Sequence, residues 1–185
     1  MKDNPAPELI SRTLINLLHE REYADISMGD IAEAAFIGRR TCYRYFSTKD
    51  DILRHIVKGL MKKLTDTILA AQKEYGTALG LHGVTLSYFR FWEENFDILS
   101  TFRKAKLMHF IADDFENIIL NVAAAVKYNN MPLTKELLEA AKKDERYYVF
   151  LFDVAGYWRL TIHWCECEPR KTPEEMADLI SKIIR

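Results

Sequence analysis

The chain has 185 residues, of which 49 % are apolar and 29 % charged, with a formal net charge of −1. This excludes a disordered chain and a polyelectrolyte partner for nucleic acid, so any attraction to phosphate has to come from a local patch. Seven Gly and five Pro are too few for a sandwich or barrel, which needs a turn about every eight to twelve residues.

The longest stretch free of Lys, Arg, Asp and Glu runs from Tyr75 to Phe89 and is interrupted by Gly76, Gly80 and Gly83. It falls short of the roughly 20 apolar residues a spanning helix needs, so no membrane partner is expected. Met1-Lys2-Asp3-Asn4-Pro5 contains no apolar run, and no secretory signal is expected. Cys42, Cys165 and Cys167 form an odd set that makes a poor disulfide framework and suits a reducing compartment, so the expected location is cytoplasmic.

In chain order, Leu9, Ile10, Leu14, Ile15, Leu17 and Leu18 recur at helical spacing after Pro5 and Pro7, predicting a first helix that ends near Glu22. Ser27, three residues before Asp30, caps a short helix over 28–35, and a second short helix over 39–45 follows closely. Thr48 with Asp51 caps a long helix over 49–72, whose Ile52, Leu53, Ile56, Val57, Leu60, Leu64 and Ile68 keep the 3.6-residue period. The region from Gly76 to Gly83 predicts a break. Helical patterns then cover 86–95, 98–106 and 108–128, the last ended by Asn129-Asn130-Met131-Pro132. A charged run from Lys135 to Arg146 leads into the apolar stretch 147–164, one long helix or two with a bend. Thr172, Pro173 and Glu175 open a final helix carrying Met176, Leu179, Ile180, Ile183 and Ile184. No strand-period alternation or internal repeat appears. The expected fold is all-α with about nine helices, an N-terminal three-helix helix-turn-helix domain over 1–48 and a larger helical domain over 49–185, joined by the helix 49–72.

Between Gly38 and Lys63 there are eight Lys/Arg against two acids, a local charge of +6 that leaves −7 for the rest. Arg39, Arg40 and Arg44 share one short helix with Thr41, Tyr43 and Tyr45, while Cys42 and Phe46 supply its apolar side. A helix-turn-helix reader needs this arrangement, with forked cations to reach base edges and hydroxyls to hold phosphates.

The run Met28-Gly-Asp-Ile-Ala-Glu-Ala-Ala-Phe-Ile-Gly-Arg-Arg-Thr-Cys-Tyr-Arg-Tyr-Phe-Ser-Thr-Lys-Asp-Asp-Ile-Leu53 resembles the DNA-binding signature of the TetR family of transcriptional regulators. The likeness spans about 45 N-terminal residues when the first helix is included. It rests on an Ile-Ala pair in the first reader helix, a Thr-x-Tyr-x-x-Phe recognition helix and a Ser/Thr-Lys-Asp/Glu start to the next. The C-terminal half is similar to a low-GC Gram-positive branch of that family through Gly156-Tyr-Trp, Trp164 and Thr172-Pro-Glu-Glu-Met-Ala. The resemblance implies that Arg39 and Arg40 face base edges, with Arg44 a third candidate. It also implies that Ser27, Thr41, Tyr43, Tyr45 and Lys49 hold the phosphate backbone. Two positions depart from the family pattern: Phe36 stands where a turn glycine is usual, and Gly38 where Ser or Thr caps the recognition helix. Phe36 therefore has to accept a positive φ or the turn has to change, whereas Gly as a cap costs only a few tenths of a kcal/mol.

Most of the many aromatics in the second half read as core, but bulky rings from several helices also leave cavities in bundles. The resemblance implies an effector pocket there, and Trp92, Phe96, Met108, Tyr148 and Phe152 are its candidate lining for a small molecule of unspecified identity. Leu151, Val154, Trp158, Ile162, Ile180, Ile183 and Ile184 carry more apolar surface than one bundle face buries. They are the candidate interface of a homodimer, which would read a palindromic double-stranded DNA operator. No metal or cofactor is expected, since His163, Cys165 and Cys167 do not share one helix face. No catalytic motif appears, so an enzyme is not expected. The expected function is a dimeric DNA-binding regulator, a repressor whose operator affinity responds to a small molecule. The alternative is a TetR-like interaction protein or activator that works through a protein partner with a weakened reader.

Overall fold

The structure is a computed structural model that describes residues 5–112, 115, 136, 143 and 145–183. The described residues form eight named α-helices: α1 (Ala6–Glu20), α2 (Met28–Ala34), α3 (Arg39–Tyr45), α4 (Lys49–Tyr75), α5 (Gly80–Glu94), α6 (Phe96–Lys104), α7 (Arg146–Glu166) and α8 (Pro173–Ile183). Short 3₁₀ turns cover Tyr23–Asp25 and Gly76–Leu79, and residues 108–112 are helical as well. No strand occurs among the described residues, and the all-α expectation holds. The rest of the helix expected over 108–128, apart from Phe115, lies outside the described residues, as do its Asn-Asn-Met-Pro stop and most of the charged run before Arg146.

The local signals that opened helices in the sequence are made as hydrogen bonds. Asp30 N donates to Ser27 Oγ at 3.1 Å while Ser27 N donates to Asp30 Oδ2 at 2.7 Å. The same reciprocal box joins Thr48 with Asp51 (2.8 and 3.1 Å) and Thr172 with Glu175 (2.8 and 3.2 Å). Each box satisfies two backbone donors that a helix start otherwise leaves unpaired.

The chain forms two compact units: Met1–Leu60 with Asp97–Ile111, and Met61–Phe96 with Ala112–Arg185. The first therefore gathers more than the three N-terminal helices expected over 1–48. Its core holds Ile10, Leu14, Ile31, Cys42, Ile52, Leu53 and Val57, all at or near zero exposure. Residues 97–111 join it because His19 Nε2 meets Thr101 Oγ1 at 2.8 Å and the Arg54 guanidinium lies 5.7 Å from the Phe110 ring centre.

In the second unit α8 packs on α5. Arg90 pairs with Glu174 at 2.7 Å and His82 with Asp178 at 3.0 Å across the outside of that contact. Inside, Trp92, Phe89 and Tyr88 are buried, and Tyr88 shares a hydrogen bond with Thr161 at 2.5 Å. Burial pushes the Tyr88 phenol above its ordinary range. The stretch 147–164 is part of one unbroken helix, α7. Among the described residues no helix is long and apolar enough to cross a membrane.

Candidate nucleic-acid interface

The reader is built by two short helices and the turn between them. Ser27 caps α2, and its hydroxyl also donates to Asp30 Oδ2 at 2.5 Å. Arg21 Nη1 adds an ion pair to Asp30 at 3.4 Å. The Ser27 hydrogen bonds, followed by the Arg21 charge, hold the Asp30 carboxyl down at about 2.

Helix α2 ends in a Schellman motif. Phe36 N donates to Glu33 O at 3.0 Å and Ile37 N to Ala32 O at 3.0 Å, which puts Phe36 in the left-handed position at φ 54°. The turn geometry normally served by glycine is thus kept, with a phenylalanine in it. Gly38 is the extended N-cap of α3, and its carbonyl accepts from Thr41 N and Cys42 N at 2.8 and 3.1 Å.

Helix α3 has a single anchored side. Cys42 is fully buried and Phe46, just past the helix end, nearly so. Arg39, Arg40, Tyr43 and Arg44 are exposed, while Thr41 and Tyr45 are half-buried. Neither Arg39 nor Arg40 has an acidic partner among the described residues, so both keep their full charge and donor set for an anionic ligand. Arg44 donates to Tyr45 Oη at 3.2 Å and lies 5.0 Å from its ring centre.

Gly29 is a residue that the sequence reading missed. A Cβ there would stand 3.3 Å from Arg39 Nη2 and 3.4 Å from Ser27 Oγ. The missing side chain lets the Arg39 guanidinium lie over the first turn of α2, bringing together two candidates twelve residues apart in sequence. The only sequence signal was a glycine one residue inside a helix start.

Lys49 is placed differently from the expectation. Its ammonium donates to the carbonyls of Tyr23 and of Ile26, the latter at 2.8 Å, and sits 4.2 Å from the Tyr23 ring centre. Tyr23 in turn donates to Asp50, and burial together with that carboxylate pushes its phenol above the ordinary range. Lys49 thus fastens the start of α4 to the turn before α2, where the sequence reading had it holding phosphate.

The candidates in the second half separate by face. On α7 the residues Val154, Thr161, Trp164 and Cys165 are buried and Tyr157 and Trp158 half-buried. Trp158 lies against Phe115 at 5.2 Å between ring centres. Tyr148 and Phe152 stand on the opposite row, 71 % and 78 % exposed, with Val149 beside them. In this chain the candidate pocket residues Tyr148 and Phe152 are exposed, while the candidate interface residues Val154 and Trp158 are buried and half-buried. Apolar residues all round α7 gave periodicity nothing to choose between.

Of the remaining interface candidates, Leu151 and Ile162 are half-buried, Ile180 is buried and Ile183 is exposed; Ile184 lies outside the described residues. Of the remaining pocket candidates, Trp92 is buried against Tyr88 and Phe91. Phe96 lies edge-on to Trp164 with the Arg170 guanidinium 3.5 Å over its ring. Met108 is half-buried and belongs to the first unit.

Two short helices, a tight turn and an exposed cationic outer face define a helix-turn-helix reader within an all-helical protein. Residues 10–56 match the family model described as bacterial regulatory proteins, tetR family, so the N-terminal segment carries that family's N-terminal domain. The whole chain shares its fold with solved structures. The fatty acid degradation regulator FadR from Bacillus halodurans superposes with a TM-score of 0.66 at 16 % identity, covering 99 % of this chain and 96 % of that one. The TetR family repressor AlkX from Dietzia sp. gives 0.59 at 17 %, covering 100 % and 95 %. The dihydroxyacetone kinase operon activator DhaS gives 0.60 at 18 %, covering 96 % and 92 %. No curated protein matches the chain by sequence.

Proposed function

We propose that the chain is a DNA-binding transcription regulator that works as a homodimer on a palindromic operator. It acts as a repressor whose operator affinity is set by a small molecule in the C-terminal helical domain. The observation that carries this is the outer face of α3: Arg39 and Arg40 are exposed and have no acidic partner among the described residues, on a helix anchored behind by Cys42 and Phe46. Forked cations at the start of such a helix reach guanine O6 and N7, and neighbouring hydroxyls such as Thr41 and Tyr43 hold the backbone.

Dimer formation is supported by the exposed row Tyr148, Val149 and Phe152 on α7 and by Ile183 on α8, apolar surface that a free monomer would leave in water. Cys42, Cys165 and Cys167 form no disulfide, which suits a reducing cytoplasm. The effector acts by population shift, favouring a dimer whose readers stand at the wrong spacing, and it works only through its differential affinity for the two states. Helix α4 is continuous and has residues in both units, 49–60 in the first and 61–75 in the second. The finer likeness of the C-terminal half to a low-GC Gram-positive branch rests on Gly156-Tyr-Trp, Trp164 and Thr172-Pro-Glu-Glu-Met-Ala.

The test is to select duplexes from a random pool and measure affinity over a salt series. Wild type should select a palindrome and bind it with steep salt dependence. Arg39→Ala should cost about 1–3 kcal/mol on the selected site and relax one base position in each half. Failure to select any duplex at low salt overturns the reading. It would leave the second one, an activator or interaction protein acting through a protein partner, which the unusual Phe36 and Gly38 in the reader favour.

A further inference from the structure

Phe36 is 96 % exposed and is held in the left-handed region at φ 54°. Glycine would close the same Schellman turn without the Cβ clash that a phenylalanine brings. The fold recovers little from the ring, because almost none of it is covered. A strained, uncovered aromatic side chain is a local conflict of the kind that proteins keep at sites of function.

Its surroundings identify the occupant. Glu33, Ala34, Gly38, Arg39 and Arg40 around it in sequence are exposed, Ile37 is half-buried, and the cations of the group have no acidic partner among the described residues. A protein-docking surface would need contiguous apolar area beside the ring, and here the chain leads directly into the cationic start of α3. Phe36 is three residues before Arg39, so their Cα atoms are at most about 11 Å apart. A polyanion that also presents apolar surface at the border of its groove fits both features, and duplex DNA offers thymine methyl groups and the C–H faces of deoxyribose.

We infer that Phe36 is a further DNA-contact residue, laying its ring on apolar duplex surface at the border of the footprint of α3. This rests on the reading of the chain as a DNA-binding regulator. The contact adds affinity without neutralising phosphate. It should therefore lower Kd by the same factor at every salt concentration, whereas an ammonium or guanidinium on phosphate steepens the salt slope.

The experiment measures fluorescence anisotropy with a duplex selected by the wild-type protein, over a salt series, for wild type, Phe36→Gly, Phe36→Asn and Phe36→Leu. Gly and Asn both suit the left-handed turn and should melt higher than wild type, yet bind about three- to tenfold more weakly with the salt slope unchanged. Leu keeps both the strain and the apolar contact, and should retain most of the affinity. Repeating the titration with deoxyuridine for thymine removes only the methyl groups. A loss confined to the proteins with Phe or Leu assigns the contact to thymine, and no loss assigns it to deoxyribose. Equal affinity for all four proteins, or a weakening that comes with a shallower salt slope, overturns the inference while leaving the regulator reading intact. If wild type selects no duplex, the regulator reading itself falls and this contact with it.

Discussion

The reader pair α2–α3 and the long helix α7 both read as helical, yet only the reader could be oriented from its sequence. Each reader helix has one apolar row, Met28, Ile31 and Ala32 on α2 and Cys42 on α3, and all four residues are buried. Everything else on α3 is cationic or hydroxylated, so there is one way to set it down. Helix α7 carries apolar residues around its whole circumference, and two rows compete for the core. An amphipathic pattern gives a helix a direction, whereas a uniformly apolar one says only that it is covered on more than one side.

The two rows of α7 can be separated by mutation, and here the largest effect is expected. Trp164 is 2 % exposed, lies edge-on to Phe89 at 5.6 Å between ring centres and donates its indole N–H to Lys171 O at 2.7 Å. Trp164→Ala should cost about 3–5 kcal/mol in urea unfolding. Phe152→Ala, on the outer row, should change the unfolding free energy of the monomer by less than about 0.5 kcal/mol. It should instead raise the concentration at which light scattering sees dimers dissociate. Equal unfolding costs at the two positions would mean that α7 is not seated as described.

The same contrast explains what was legible beforehand. Helix starts were readable because Ser27, Thr48 and Thr172 each announce themselves by an acid three residues on, and all three boxes form. Helix α3 was found with its bounds at Arg39 and Tyr45. Ends without a signature were missed. Helix α6 was expected to reach Lys106, but Lys106 N donates to Arg103 O and Leu107 N to Phe102 O, a second Schellman turn with a lysine at φ 60° and no glycine to mark it. The break expected from Gly76 to Gly83 shrinks to the 3₁₀ turn Gly76–Leu79. Gly83 sits inside α5, where a Cβ would fall 2.5 Å from Leu79 Cδ1, so that glycine provides close approach and does not end a helix. In the site, charge and spacing exposed Arg39 and Arg40, but long-range placement decided Lys49, and no local pattern encodes which of two partners an ammonium will choose.

Lys49 supplies the next effect in size. If its ammonium fastens the Tyr23–Ile26 turn, Lys49→Ala should destabilise the protein by about 1.5–3 kcal/mol, the range for a hydrogen bond from a charged donor. Its salt slope on a selected duplex should stay that of wild type. A phosphate-holding lysine would do the reverse, leaving the melting temperature alone and lowering the slope by about one ion. Thermal unfolding and the salt series on one variant therefore distinguish the two roles. Arg39→Ala, which touches no core residue, provides the opposite control.

The smallest effects lie in two carboxylates whose environments differ as their regions do. Asp30, in the solvated cap of α2, is held at about 2 against an ordinary value of 3.8, by the Ser27 hydrogen bonds first and the Arg21 charge after them. Its folded value is depressed, so its contribution is complete above the ordinary carboxylate range and disappears as pH falls from there through about 2. Asp153, on α7, is pushed the other way by partial burial. Its folded value is raised, so the ionised form works against the fold and protonation removes that cost. Asp30→Asn should therefore lower the melting temperature at neutral pH, and the difference from wild type should close as pH approaches about 2. Asp153→Asn should raise it at neutral pH, and that difference should close as soon as the wild-type carboxyl protonates, at higher pH than for Asp30. Two curves of opposite sign, measured by circular dichroism melts across an acid series, follow from the contrast between a hydrogen-bonded cap and a half-buried carboxyl. Shifts of the same sign at both positions would refute it.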